Sequence, residues 1–216
     1  MGHPSVFPDG AEILMTTPPS DLQLHTVTGA AMARHVADLA ALRIQVFREW
    51  PYLYAGSVAY ETRYLQVYVN SPDAVLVLVR DGDMVVGAST GLPLADEDEA
   101  FRKPFVDAGI DPAGVFYCGE SVLLPAYRGR GIGHAFFDAR DAHARRLGRF
   151  THAAFAAVDR DDDDPRRPPQ HRDNTAFWLS RGYRRHAELA LHLSWPEPDR
   201  GDIDHTLTFW VRPLEA

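Results

Sequence analysis

The chain has 216 residues, about as many as one hydrophobic core usually serves, so we expect a single domain. Hydrophobic residues make up 45% and charged residues 24%, which is typical of a globular protein. The formal charge of −8 argues against nucleic-acid binding, because phosphate contacts need a basic face, and it favours an amine-bearing partner. No apolar run approaches the roughly 20 residues of a membrane helix and no export signal opens the chain, so we predict no membrane partner and a cytoplasmic location.

Cysteine and acidic residues add little chemistry. The lone Cys118 lies in a β-like run, where a buried structural thiol is favoured over a nucleophile. Two acidic patches, "ADEDEA" at 95–100 and "DRDDDD" at 159–164, are typical of solvated loops. The second lacks the glycine and the closing glutamate of a calcium loop, so we predict no metal site.

The first half of the chain predicts a tail, two helices and a hairpin. Residues 1–20 are expected to be a flexible tail, and residues 21–216 a single domain that opens on a short strand. Apolar residues recur at helical spacing over residues 30–49, and a weaker helical pattern covers 58–69. The stretch "AVLVLVRDGDMVVGAST" predicts an antiparallel hairpin around an Asp-Gly turn.

The second half predicts a β-loop-α-β unit followed by another hairpin. After an irregular stretch at 94–114, "VFYCGESVLL" reads as a strand, residues 132–147 as a helix closed by Gly148, and "FTHAAFAAV" as a parallel strand. A proline-rich loop, a short helix at about 174–180 and two alternating segments complete the chain. The sheet is therefore expected to be mixed, with helices on its faces.

The stretch "LLPAYRGRGIGHAFFDAR", residues 123–140, predicts an anion site. The first turn of a helix has unpaired amide hydrogens and the positive end of the helix dipole, and glycines let a phosphate approach them. A purely structural turn stays an alternative. A nucleoside-triphosphate loop is excluded because Gly133 is followed by His134 and Ala135 rather than Lys and Ser or Thr. A dinucleotide-binding oxidoreductase remains a weaker alternative, because the third glycine's place is filled by Phe136.

The same residues resemble the acetyl-CoA motif of the GNAT superfamily of N-acetyltransferases. The signature Q/R-x-x-G-x-G/A is filled by Arg128, Gly131 and Gly133, and "NTAFWLSRGY" is similar to the family's aromatic helix and closing Gly-Tyr pair. The resemblance covers about residues 20–214. It implies an α/β (α+β) fold with a mixed, mostly antiparallel central sheet, a β-loop-α-β acetyl-CoA site and helices on both faces.

The resemblance also implies acetyl-CoA as cosubstrate. The two parallel strands that end near Leu124 and Val158 would splay apart and make a slot for its thioester. Backbone groups of three strand residues would pair with the pantetheine, the glycine loop would hold the pyrophosphate, and an asparagine would bond the pantetheine. The implied residues are, in this order, Val122, Leu123 and Leu124; Arg128, Gly129, Arg130, Gly131, Ile132, Gly133 and His134; and Asn174.

Acetyl transfer to an amine needs a base, because an alkylammonium must lose a proton before it attacks. Glu120 is the candidate, since a carboxylate in an apolar strand must be paired, protonated or functional, and a structural ion pair is the alternative. Tyr117 is the reserve catalytic residue. The family's acidic tyrosine is replaced by Trp178, whose indole cannot protonate a thiolate. Either Tyr183, His171 or a water supplies the proton instead, or the thiolate leaves unassisted.

The acceptor is the least constrained part of the interpretation. In "REWPYLYAGSVAYE", Trp50, Tyr52 and Tyr54 would form an aromatic wall for an amine, and Glu61 or the acidic loops would bind its charge, with core packing as the alternative. We predict transfer to a primary amine on a small molecule or a peptide N-terminus. A non-catalytic acyl-CoA sensor is the main rival, and a homodimer is left open.

Overall fold

The computed structural model describes residues 22–214, so the expected tail at 1–20 lies outside the described residues. The strands form one sheet in the order β1-β2-β3-β4-β6-β8-β7, with β5 beside β3. They are β1 (Leu22–Thr28), β2 (Val75–Asp81), β3 (Met84–Pro93), β4 (Val115–Tyr117), β5 (Ser121–Leu123), β6 (His152–Val158), β7 (Arg184–Glu197) and β8 (Gly201–Pro213). The α-helices are α1 (Val36–Phe47), α2 (Val58–Tyr64), α3 (Gln66–Asn70), α4 (Glu99–Asp107), α5 (Ile132–Leu147) and α6 (Thr175–Ser180).

Helices cover both faces of the sheet, and apolar side chains are buried on each face. Alternate residues of a strand point to opposite faces, and in β8 the neighbours Phe209 and Trp210 belong to different core clusters. Phe209 packs in the cluster that includes Leu39 of α1 and Phe105 of α4, whereas Trp210 packs in the one that includes Phe136 of α5. The predicted layering, with helices on both faces, is therefore confirmed.

The pairing of the strands confirms the predicted mixed sheet. Antiparallel hairpins join β2 to β3 and β7 to β8, and β4 runs parallel to β6 with α5 as the crossover. Within the described residues this is the one parallel pair, whereas a doubly wound dinucleotide fold needs a mostly parallel sheet. No helix among residues 22–214 is long and apolar enough to cross a membrane.

The predicted strand "VFYCGESVLL" is interrupted rather than continuous. β4 pairs with both β3 and β6, whereas β5 pairs with β3 alone, and a bulge separates them. The N–H of Gly119 donates to the Thr90 carbonyl (3.2 Å) and the N–H of Thr90 donates to the Glu120 carbonyl (3.1 Å), so two residues oppose one. The bulge requires glycine at position 119, because a Cβ there would lie 1.8 Å from the hydroxyl oxygen of Tyr68 and 2.9 Å from Oγ1 of Thr90. The expected splaying of the two strands therefore begins at Gly119.

Two predicted segments take other forms. The helix expected over 30–49 is a 3-10 helix at Gly29–His35 followed by α1. The stretch expected to be irregular contains α4, which tolerates Pro104 at the loss of one backbone hydrogen bond. Phe101 and Phe105, four residues apart on one face of α4, are both buried, and this burial stabilises the helix.

The acidic patch at 95–100 is typical of a solvated loop, and for one of its residues this interpretation is wrong. Glu97 is 3% exposed and accepts hydrogen bonds from the backbone N–H of Asp98 (3.2 Å) and the hydroxyl of Tyr68 (3.3 Å). Burial raises the pKa of Glu97 to about 7, because the charged form loses its hydration.

We predict that Gly119→Ala lowers the free energy of unfolding by about 1–3 kcal/mol, because the added methyl group collides with the buried Tyr68. Urea denaturation measures the change. Gly133→Ala is the control, since the nearest atom to its added Cβ belongs to Phe177 at 3.8 Å, an ordinary contact. Equal loss of stability in the two variants would contradict the assignment.

We also predict that Glu97 makes the protein less stable as the pH rises. An unfolded glutamate titrates near 4.5 and the folded one near 7, so only the folded state keeps the proton between these values. The free energy of unfolding should therefore fall by up to about 3 kcal/mol from pH 4.5 to 7 and change no further through this group. Urea denaturation at pH 4.5 and pH 8 should show this fall in the wild type and in Glu99→Gln, whose site is exposed, but a smaller one in Glu97→Gln. The same pH dependence in all three proteins would refute the prediction.

Candidate active site

The glycine loop, residues 128–133, joins the end of β5 to α5 through left-handed backbone. Gly129 has φ +77° and Gly131 has φ +80°, conformations that side chains other than glycine rarely adopt. No heavy atom lies within 4 Å of the position where a Cβ would stand on either residue. The space beside both glycines is therefore open, and it lies next to the first turn of α5, whose N–H groups have no intrahelical partner.

The charged residues of the glycine loop partly brace it. Arg128 donates through Nε to the Leu123 carbonyl (3.2 Å) and forms an ion pair with Glu49 (3.2 Å). Arg130 donates to the Ala126 carbonyl (3.1 Å). His134 is exposed and meets the edge of the Phe177 ring at 4.9 Å between centroids. Arg128 and Arg130 thus shape the loop as well as adding positive charge.

A cleft, which we call the strand gap, opens where β5 diverges from β6. Residues 118–121 form one wall and residues 155–158 form the other. The N–H of Leu124 donates to the carbonyl of Val86 in β3. Because hydrogen-bonded and non-hydrogen-bonded pairs alternate along antiparallel strands, Leu124 and Val122 form the hydrogen-bonded pairs with β3. By this alternation, Ser121 and Leu123 direct their backbone groups toward the strand gap. Val122 and Leu124, expected to pair with pantetheine, face β3 instead.

The aromatic helix α6 closes the strand gap on one side. Asn174, the residue before α6, lines it, and so does Trp178, which packs on the rings of Phe155 (5.0 Å) and Trp210 (5.1 Å). Tyr183 is fully buried and lines neither the strand gap nor the cavity described below. His171 meets Trp50 at 6.2 Å between ring centroids and also lies outside the strand gap. Neither residue is therefore placed as the acid.

A buried ion-pair cluster stands at the inner end of the strand gap. The guanidinium of Arg43 donates through Nε to Glu61 (2.5 Å) and through Nη1 to Glu120. All three residues are at most 7% exposed. Glu120 lies on the strand gap side and Arg43 on the side of the neighbouring cavity. Glu120 thus takes part in a buried ion pair and also borders the strand gap. A structural ion pair and a catalytic base are the alternatives that the sequence predicts, and this position is compatible with both.

Burial and charge act on Glu120 in opposite directions. Burial raises the pKa of Glu120, and Arg43 lowers it, with burial the larger effect. Arg140 donates to the Glu120 carbonyl (3.2 Å) and to the Ser121 hydroxyl (3.0 Å), fixing the backbone at the break. The carboxylate is therefore a stronger base than an exposed glutamate and is held in one position.

A second cleft, the aromatic cavity, lies against the other side of Gly119. Gly119 and Ala156 line both the aromatic cavity and the strand gap, so the two spaces meet there. Tyr117 faces the aromatic cavity, and burial raises its pKa well above the usual range of a phenol. The walls are Phe47, Tyr52, Tyr54, Tyr60, Tyr64, Phe101, Tyr117, Leu193, Trp195 and Leu207, with Arg43 the sole charged side chain among the described lining residues.

The acceptor residues expected from sequence are only partly brought together. Tyr52 and Tyr54 line the aromatic cavity, whereas Trp50 does not. Glu61, expected to bind the charge of an amine, is fully buried on Arg43.

An ion-pair clamp holds the segment that carries Tyr52. Arg160 donates to the carbonyls of Pro51 (2.6 Å) and Tyr52 (2.8 Å), and the Trp195 indole donates to the Tyr52 carbonyl (3.0 Å). Arg160 forms an ion pair with Glu197 (2.7 Å), which is 2% exposed and also binds Arg166. The loop after β6 therefore fixes one wall of both clefts.

Sequence reasoning missed Arg43. The sequence does contain a signal for it: Arg43 follows Leu39 by four residues and therefore lies on the apolar stripe of α1. A cation that is buried at such a position requires a buried partner of opposite charge. Sequence reasoning also missed the clamp, whose members come from separate segments. Within residues 22–214, no group of histidine, cysteine, aspartate and glutamate is arranged to hold a metal ion.

No protein-family model and no curated protein matches the sequence. Solved structures match nearly its whole length. A GCN5-related N-acetyltransferase from Kribbella flavida is 20% identical, with a TM-score of 0.55 and coverage of 91% of this chain and 100% of its own. The acetyltransferase yncA from Salmonella typhimurium, solved with acetyl-CoA, is 12% identical, with a TM-score of 0.53 and coverage of 90% and 94%.

A third match has a different stated chemistry. The GNAT-like decarboxylase GphF, solved with isobutyryl-CoA, is 19% identical, with a TM-score of 0.55 and coverage of 89% of this chain and 100% of its own. The chain thus has the GNAT fold that its sequence predicted. Because proteins of this fold include an acetyltransferase and a decarboxylase, the reaction must be argued from the site.

Proposed function

We propose that the protein is an acyl-CoA-dependent N-acyltransferase that moves the acetyl group of acetyl-CoA to a primary amine by direct attack on the thioester. One observation carries the proposal: the strand gap runs between β5 and β6, has the buried Glu120 on its wall, and meets the aromatic cavity at Gly119. A thioester in the strand gap and an amine in the aromatic cavity would face each other across a residue without a side chain.

The glycine loop and the strand gap fit coenzyme A. Left-handed glycines with open space beside a 16-residue helix leave backbone N–H groups for a pyrophosphate. Backbone groups of Ser121 and Leu123 would bind the pantetheine, and Asn174 would reach it from α6. The Leu123 carbonyl already accepts from Arg128, so its N–H is the group left for the ligand.

Glu120 is the proposed base. The amine must lose a proton before its nitrogen can attack the thioester carbonyl, and Glu120 accepts that proton directly or through one water. Burial raises the pKa of Glu120, which strengthens it as a base, and the Arg43 guanidinium acts in the opposite direction by lowering that pKa. Tyr117 is a poor base at neutral pH because its raised pKa keeps the phenol protonated. The C–S bond then breaks, and the sulfur leaves as a thiolate, which is a good leaving group because thiols have a pKa near 8.5. The nitrogen loses its second proton as it becomes the amide, and the thiolate takes up one proton to give the free thiol of CoA.

We predict that Gly131→Glu abolishes acetyl-CoA binding, because the new carboxylate would stand in the phosphate site. Gly109→Glu is the matched control: Gly109 has φ +74° and no atom within 4 Å of its Cβ position, and it follows α4 rather than preceding α5. Calorimetric titration with acetyl-CoA should show saturable binding to the wild type and Gly109→Glu alone. Unchanged affinity in Gly131→Glu would remove the glycine loop from the phosphate site.

We predict that Glu120→Gln lowers kcat by about 10²–10⁴-fold and removes the acidic limb of the pH–rate profile. Glu61→Gln is the control, because Glu61 binds the same arginine without bordering the strand gap. The control should keep the acidic limb, whatever its stability. An acidic limb that persists unchanged in Glu120→Gln would exclude Glu120 as the base.

The proposed reaction is tested by thiol release from acetyl-CoA across a panel of amines. Release that depends on the amine, with an N-acetyl product found by mass spectrometry, supports an acyltransferase. Binding of acetyl-CoA with no release in any arm would favour the sensor function. Failure of acetyl-CoA to bind would overturn the proposed cosubstrate.

A further inference from the structure

The walls of the aromatic cavity are mostly rings. Tyr52, Tyr54, Tyr60, Phe101 and Trp195 come from four separate segments and converge on one space. Tyr54 and Tyr60 meet edge to face at 6.2 Å, and Tyr52 contacts Trp195 at 6.0 Å. Such walls favour a flat, apolar group, because aromatic rings pack on one another beyond their simple burial.

The ion pairs of Arg43 limit which charged ligands the aromatic cavity can bind. Arg43 gives Nε to Glu61 and Nη1 to Glu120, and its guanidinium lies 4.3 Å from the ring centre of Tyr64 and 4.9 Å from that of Phe47. The two carboxylates lie outside the aromatic cavity and already neutralise Arg43, so this cation has little attraction left for an added anion. Among the described lining residues, Arg43 is also the sole cation available to a carboxylate, and it is engaged.

We propose that the aromatic cavity selects an arylalkylamine: a primary amine on a short linker to an aromatic ring, with no carboxylate. This inference rests on the proposed function and names its acceptor. The ring would pack among the tyrosines and Trp195, and the nitrogen would point past Gly119 to the strand gap, on the side of Glu120.

Other amines fit the same walls less well. An amino acid brings a carboxylate for which the aromatic cavity offers only Arg43, already engaged by Glu61 and Glu120. A diamine buries a second ammonium, and among the described residues no carboxylate lines the aromatic cavity to pair with it. A peptide N-terminus brings amide groups that ring walls leave without hydrogen-bond partners.

Tyr60 offers a specificity test that leaves the ion-pair cluster intact. It lies on α2 at the mouth of the aromatic cavity, 47% exposed, and makes no ion pair or contact with Glu120. Val58, on the same helix and 64% exposed, does not line the cavity and serves as the control.

The experiment is calorimetric titration of 2-phenylethylamine, L-phenylalanine and 1,5-diaminopentane into the protein, with and without saturating CoA. We expect 2-phenylethylamine to bind at least about tenfold more tightly than the other two. Tyr60→Ala should weaken its binding about tenfold, and Val58→Ala should leave it unchanged. Equal or tighter binding of phenylalanine or the diamine, or no binding of 2-phenylethylamine, would overturn the proposal.

The two proposals fail separately. If CoA binds and the diamine is acetylated while 2-phenylethylamine is neither bound nor acetylated, the acyltransferase stands and the arylalkylamine proposal falls. If CoA itself does not bind, the proposed function falls. The titration without CoA still tests the aromatic cavity, where binding weakened by Tyr60→Ala supports the arylalkylamine class and absent binding overturns it.

Discussion

The candidate site depends on the buried pairing of Arg43 with Glu61 and Glu120. Three charges out of water are costly unless each is paired, and removing one partner of such a cluster typically costs about 3–5 kcal/mol. Here the cluster ties α1 and α2 to the break in the sheet between β4 and β5. The same contacts that stabilise this region also place a carboxylate on the strand gap, so structure and chemistry constrain the same residues.

Gly119 has the complementary role of keeping space open. Without a side chain it lets the Tyr68 hydroxyl approach the backbone, interrupts the strand and joins the strand gap to the aromatic cavity. The clamp of Arg160 and Glu197 holds Tyr52 from the opposite side. Substrates would therefore meet walls set before binding, which lowers the entropy cost of bringing two reactants together.

Much of the fold could be predicted from the sequence, because local signals agree with it. The Asp-Gly hairpin, the glycine loop before α5 and the closing Gly148 all depend on backbone chemistry within a few residues. The helix α4 was missed because Pro104 and the surrounding acids suggest a loop, and only tertiary burial of Phe101 and Phe105 outweighs them. Local propensity cannot register that burial.

The site was less predictable for the same reason. The glycine loop is local and was found, whereas the partner of Glu120 lies 77 positions away and the clamp joins residues more than 100 positions apart. Glu120 could be singled out as a carboxylate in an apolar strand, but not its pairing with Arg43. The backbone groups of Ser121 and Leu123 lie on the open edge of β5. This assignment depends on the register of β5 against β3, which the sequence does not reveal.

A crystal structure with CoA joined through an acetyl bridge to 2-phenylethylamine would show whether the two clefts serve one reaction. We expect the pyrophosphate on the N–H groups of residues 129–134, the acetyl bridge beside Gly119, and the ring in the aromatic cavity. An analogue bound with its pyrophosphate away from the glycine loop, or with its bridge outside the strand gap, would contradict this account.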